Sequence, residues 1–166
     1  MKKTELITNS DGSVFHLHLK PGDISDRIII VGDPGRVGFL AELFDEIRVQ
    51  KENREFRTVT GYYKGSEITV ISSGIGTDNI DILVNELDAL VNINLQTGEV
   101  SDNPVSLSFI RIGTSGGIRE DVPVGSYVLS ETAVGFDGLL HFYEGYDWLL
   151  DTALADMLAD YLEWPD

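Results

Sequence analysis

The chain has 166 residues, 42% hydrophobic and 24% charged, enough for one domain with a real core. Its 28 acidic and 12 basic residues give a net charge of −16, which argues against a general nucleic-acid binder and against docking on anionic membranes. It has no cysteine, which excludes disulfides and thiolate metal sites, and its polar start and lack of a bilayer-length apolar run fit a cytoplasmic protein.

Residues 1–26 are polar and turn-rich, with Asp11-Gly12 and Pro21-Gly22-Asp23 as turn signals. Ile28-Ile29-Ile30-Val31 is a continuous β-branched run, which predicts a strand buried on both faces. It ends at Gly32-Asp33-Pro34-Gly35-Arg36, and Val37, Leu40, Ala41, Leu43 and Phe44 then follow a helical pattern. Residues 55–63 and 66–73 read as two strands around a turn at Lys64-Gly65. The second strand runs into Ser72-Ser73-Gly74-Ile75-Gly76, after which Thr77 or Asp78 is suited to cap a helix. Ile80, Leu83, Leu87, Leu90 and Val91 fall on one face of that helix.

Residues 94–106 are polar and predict a loop or small excursion. Leu107 to Ile112 predicts another buried strand, ending in Gly113-Thr114-Ser115-Gly116-Gly117. Tyr127-Val128-Leu129 predicts a further strand, and residues 149–162 a helix. This alternation predicts a single α/β domain over residues 1–166, built on a layered sheet that is largely parallel at its centre. Such sheets bind ligands beyond the carboxyl ends of their strands.

Charge is distributed unevenly. Residues 1–60 hold 9 basic against 10 acidic residues, and residues 61–166 hold 3 against 18. Cations inside the acidic part, Lys64, Arg111 and Arg119, therefore invite the question of what they serve.

Three strand ends place small residues where a ligand would sit. At Gly32-Asp33-Pro34-Gly35-Arg36, free N–H groups opening the next helix would favour an anion and Arg36 would add a charged hydrogen bond. A capped turn with a surface arginine explains the same residues equally well. Gly74-Ile75-Gly76-Thr77-Asp78-Asn79 evokes a dinucleotide fingerprint, but Asn79 stands at the third glycine's place, so a tight turn is the better reading. At Arg111-Ile112-Gly113-Thr114-Ser115-Gly116-Gly117, an arginine in a strand read as buried needs an anion or a carboxylate partner. The adjacent hydroxyls of Thr114 and Ser115 favour the anion. His16 and His18 alternate with apolar residues in a strand-like run, a pattern more often structural, and no residue set has transition-metal spacing.

Taken in order, Val14-Phe15-His16-Leu17, Gly32-Asp33-Pro34-Gly35-Arg36-Val37, Arg54-Glu55-Phe56, Ser73-Gly74-Ile75-Gly76 and Arg111 to Gly117 resemble the nucleoside phosphorylase family. Phe136-Asp137-Gly138 with His141-Phe142 looks more like its uridine phosphorylases than its purine ones. The resemblance covers roughly residues 14–145. It implies a three-layer αβα fold around a central mixed, largely parallel sheet. Family members are longer, so the C-terminal portion of the domain, with its base-reading residues, is expected to be absent here.

The resemblance also implies roles. Gly32, Arg36, Arg111 and Thr114 match phosphate-binding positions, and Arg54 matches a phosphate-binding arginine from the neighbouring subunit. Arg36, Arg54 and Arg111 would together carry catalysis. His16 matches a histidine that crosses the same interface to the ribose 5′-hydroxyl, and Thr114, Ser115 and Gly116 match the stretch lining ribose and base. Glu55 and the Ile75 carbonyl match a monovalent-cation site, a potassium ion in the family, at which Asn79 replaces the usual serine. Phosphate is then a co-substrate and no organic cofactor is needed. The implied partners are a nucleoside and phosphate, with assembly as a homodimer or a hexamer built from dimers.

The implied reaction is phosphate-dependent cleavage of a nucleoside, uridine first, giving free base and ribose 1-phosphate. Alternatives are a purine nucleoside phosphorylase, a nucleosidase of the same fold, and a truncated domain that binds ligand or assembles without catalysis. Three arginines weigh against the nucleosidase, because attack by water needs no phosphate clamp.

Overall fold

A computed structural model describes residues 6–164. The chain divides into two compact units, Met1–Val124 and Gly125–Asp166.

The first unit is built on a five-stranded mixed sheet. Its strands are β1 (Arg27–Val31), β2 (Glu46–Asn53), β3 (Phe56–Tyr63), β4 (Ser66–Ser72) and, after the hairpin strands β5 (Ile93–Asn94) and β6 (Glu99–Val100), β7 (Ser108–Ile112). The spatial order is β2-β3-β4-β1-β7. β1 runs parallel to both β4 and β7, while β2, β3 and β4 form an antiparallel meander. The centre is parallel as expected, and the meander makes the sheet mixed.

Helix α1 (Pro34–Ala41) covers one face and α2 (Thr77–Asn92) the other. The alternation of strand side chains explains both layers. Ile28 and Ile30 of β1 join Ile71, Leu83, Leu87 and Leu90 in the α2 layer. Val31 joins Val37, Val59 and Val70 in the α1 layer, with Ile29 packed against it. The N-terminal turns supply Val14, Leu17 and Leu19 to the α2 layer, which ties this polar segment to the core.

Several local expectations are corrected. β2 was not legible in the sequence: its residues, EIRVQKEN, are rich in charge because it is an edge strand with solvent on its outer side. β7 is a strand, but all five of its residues are exposed. It lies at the other edge, and none of its residues joins either buried layer. Thr77 and Asp78 do not cap α2; its N-cap is Gly76, at φ 102°, with no side-chain cap bond. The run bearing His16 is a set of turns rather than a strand.

The second unit holds α3 (Thr152–Tyr161), whose N-cap Asp151 accepts a hydrogen bond from the Leu154 N–H. Tyr127-Val128-Leu129 is not a strand, and Tyr127 and Leu129 are almost fully exposed. β-propensity creates a strand only where a neighbouring strand accepts its hydrogen bonds, and none among the described residues pairs with this segment. No helix among the described residues is long and apolar enough to cross a membrane.

Candidate functional site

The carboxyl ends of β1, β4 and β7 stop side by side, because β1 pairs in register with both neighbours: Val31 faces Ser72 on one side and Ile112 on the other. The three small-residue turns therefore converge. Gly32, Asp33, Pro34, Arg36, Gly74, Ile75, Asn79, Arg111, Gly113 and Thr114 line one open cleft of about 680 Å³, with Glu55 from the β2–β3 turn.

Glycines make room for Arg111. A Cβ on Gly32 would meet the Gly74 carbonyl oxygen at 3.8 Å and a guanidinium nitrogen of Arg111 at 4.0 Å. A Cβ on Gly113 would stand 2.9 Å from another guanidinium nitrogen of Arg111. The guanidinium thus lies across the strand ends, between Gly32 and Gly113. Arg111 is exposed rather than buried, so burial is not what demands an anion here. What remains is the pairing question. Among the described residues, no salt bridge joins Arg36, Arg54 or Arg111 to a carboxylate. The structural ion pair that was the alternative for Arg111 is not formed.

The first turn differs from expectation. Asp33 is the N-cap of α1 and accepts the Gly35 N–H at 2.8 Å, and the Arg36 N–H bonds to the Asp33 carbonyl at 3.0 Å. These helix-opening donors are taken, so attraction of an anion falls to the guanidiniums. The cap also brings a carboxylate to the cleft. Within one chain the lining holds two guanidiniums, Arg36 and Arg111, against two carboxylates, Asp33 and Glu55.

Other named residues lie elsewhere. Ser115 and Gly116 sit in the exposed irregular segment after Thr114 and do not line the cleft. Arg54 is exposed in the β2–β3 turn and is also outside the lining. It belongs to a second cluster with Phe15 and His16. The Arg54 guanidinium lies 6.0 Å from the Phe15 ring centre, the Phe15 and His16 rings meet edge-on at 4.9 Å, and Asn53 Nδ2 donates to the His16 carbonyl at 2.7 Å. The structure thus brings Arg36, Arg111, Gly32 and Thr114 together, and separately His16 and Arg54.

Glu55, Ile75 and Asn79 do meet beside Gly74, where a Cβ would stand 2.8 Å from both Asn79 Nδ2 and Glu55 Cγ. Asn79 Nδ2 donates to the Ile75 carbonyl at 3.2 Å, which leaves that oxygen a second lone pair.

Two residues escaped sequence reasoning. Asp33 was legible as a cap, since Asp-Pro-Gly is a helix-start signature, but not as part of the cleft. Glu86 is buried and bonds to the His16 turn. Its signal was a charged residue inside the apolar stripe Leu83, Leu87, Leu90.

A mixed sheet between two helix layers, with a two-arginine cleft at the strand ends, defines an α/β domain of the kind that binds ligands beyond its strand ends. The model of the phosphorylase superfamily matches residues 26–161, and the chain belongs to that family. It is 34% identical over 147 residues to a uridine phosphorylase of Thermococcus kodakarensis, covering 89% of this chain and 47% of the relative. It is 33% identical to a guanosine phosphorylase of Halorubrum lacusprofundi, covering 80% and 49%. Among solved structures it resembles a Trypanosoma brucei nucleoside phosphorylase described as showing uridine phosphorylase activity, at 40% identity and TM-score 0.65, over 72% of this chain and 41% of the other. The chain spans about half the length of the curated relatives it matches.

Proposed function

We propose that this chain carries the phosphate-binding part of a nucleoside phosphorylase that cleaves uridine, and that it works as a cytoplasmic homodimer or a hexamer of dimers. The observation that carries the reading is the pair of guanidiniums, Arg36 and Arg111, without carboxylate partners at one cleft of converging strand ends. In this reading Arg36, Arg111, Gly32 and Thr114 hold phosphate. Arg54 of a neighbouring copy adds the third cation, and with it the cleft's count of charges turns positive. Thr114, Ser115, Gly116 and the neighbour's His16 meet the nucleoside.

The chemistry follows from charge. As the bond between C1′ and the base nitrogen lengthens, the sugar gains oxocarbenium character. A phosphate oxygen held beneath the ring stabilises that charge and forms the new bond to C1′. The electron pair of the broken bond leaves with the base, which then takes up a proton. The protein's share is orientation and electrostatic stabilisation. A nucleosidase would need no such clamp.

The testing experiment is uridine cleavage by the purified protein, with and without phosphate, in potassium and in lithium salts. Release of uracil and ribose 1-phosphate only with phosphate is expected. Cleavage without phosphate would sink the phosphorylase reading, and faster cleavage in potassium than in lithium would support a cation beside Glu55 and the Ile75 carbonyl. A guanosine arm measures the purine alternative, which the likeness to the guanosine phosphorylase supports.

Arg54 offers a separable test. Its φ of 54° is left-handed, which costs a residue with a Cβ about 1 kcal/mol. Arg54→Gly is therefore expected to keep or raise the thermal midpoint while lowering phosphate-dependent turnover about tenfold or more. Equal turnover by R54G and wild type would remove Arg54 from the site.

A further inference from the structure

Glu86 lies on α2, on the face that Leu83, Leu87 and Leu90 press into the apolar layer, and it is 4% exposed. A carboxylate buried there costs several kcal/mol unless it is well partnered. No lysine or arginine pairs with it among the described residues. Its hydrogen bonds to the N-terminal segment come from one turn. The His16 N–H lies 2.9 and 3.0 Å from its two oxygens, the Leu17 N–H donates to Oε2 at 2.8 Å, and His16 Nδ1 is 2.6 Å from Oε1. Asn53 holds the same turn through the His16 carbonyl.

This is more than a buried acid satisfied by backbone. Both oxygens already accept backbone N–H groups, so the short contact to the ring is completed by a hydrogen on Nδ1. In the neutral ring this is the Nδ1–H tautomer, and Nε2 keeps its lone pair. The His16 side chain is 27% exposed, so the imidazole is partly open to an external partner. A ring fixed at one nitrogen, with the other left as an acceptor, is suited to receive a hydrogen bond from a hydroxyl.

We propose that Glu86 is a positioning residue for His16: it sets the tautomer and presents Nε2 as an acceptor for a sugar hydroxyl of the bound nucleoside. The hydroxyl rests on the phosphorylase reading given above; the tautomer does not. Glu86 touches no substrate in this account and acts only through His16.

The first test is the tautomer of His16 in the ¹⁵N-labelled protein, read from long-range proton–nitrogen correlations at a pH of about 8, above the ordinary imidazole range. A hydrogen on Nδ1 and none on Nε2 is expected. A hydrogen on Nε2 overturns the proposal, and this wild-type spectrum decides the matter even if variants fail to fold. In Glu86→Gln the amide NH₂ faces Nδ1 and its oxygen still serves the backbone, so the tautomer is expected to invert to Nε2–H.

The second test is kinetic. E86Q is expected to raise KM for uridine about tenfold with little change in kcat, the scale of one hydrogen bond. The loss is expected to vanish for one of 2′-, 3′- or 5′-deoxyuridine, the one lacking the partner hydroxyl. Equal losses for all three would mean that Glu86 only supports the fold. If no nucleoside is cleaved, the phosphorylase reading falls while the tautomer still stands on the spectrum. If uridine is cleaved and Nε2 carries the hydrogen, this inference falls alone.

Discussion

Arg111→Ala is expected to lower phosphate-dependent cleavage of uridine by roughly 10²–10³ in kcat/KM, the effect typical of removing one charged donor from a transition state. The guanidinium crosses the strand ends between Gly32 and Gly113, with no carboxylate to hold it otherwise. Stability should hardly change, because β7 is an exposed edge strand and the side chain supports no packing. The same variant should lose the stabilisation that phosphate gives the wild type. That stabilisation is about 2.7 kcal/mol at a hundredfold excess over Kd. Thermal scans with and without phosphate check this without any turnover. Equal shifts in both proteins would place the anion elsewhere.

Gly61→Ala is expected to be the most damaging small substitution in the sheet. Gly61 pairs with Ile47 on one side and Ile68 on the other. An added Cβ would collide with the Glu46 carbonyl oxygen and stand 2.6 Å from a ring carbon of Phe44. Both are held, one as edge-strand backbone and the other as a ring packed against the α1 layer. A loss of roughly 3 kcal/mol, and a melting midpoint lower by about 10 °C, is the expected scale. Gly12→Ala is the control. Unlike Gly61 it has a left-handed φ, of 81°, but nothing lies within 4 Å, so only backbone strain of about 1 kcal/mol is expected. Equal midpoints for the two variants, by circular dichroism, would mean that β2 does not pack over Gly61.

The sequence by itself determined the centre of the molecule. Ile28 to Val31 could only be a strand covered on both faces, since a solvated face would waste four β-branched side chains. The stripe Leu83, Leu87, Leu90 could only be one helix face, and the Lys64-Gly65 turn set the β3–β4 pairing. The small residues after three strands marked the cleft, because strand ends in such a sheet are where backbone leaves room for a ligand.

Only the tertiary structure decided the rest. β2 gains its identity from β3, and Tyr127 to Leu129 fails to be a strand for want of such a partner; pairing lies outside any local pattern. Arg111 looked buried because its neighbours are apolar, yet its strand is an edge on which every residue is exposed. The division of the arginines, two in the cleft and one beside His16, and the bond from Glu86 to a turn 70 residues away, are long-range juxtapositions. Residue type and spacing fix what a side chain can do; the register of β1 against β4 and β7, and the packing of α2 under the N-terminal turn, fix what it meets.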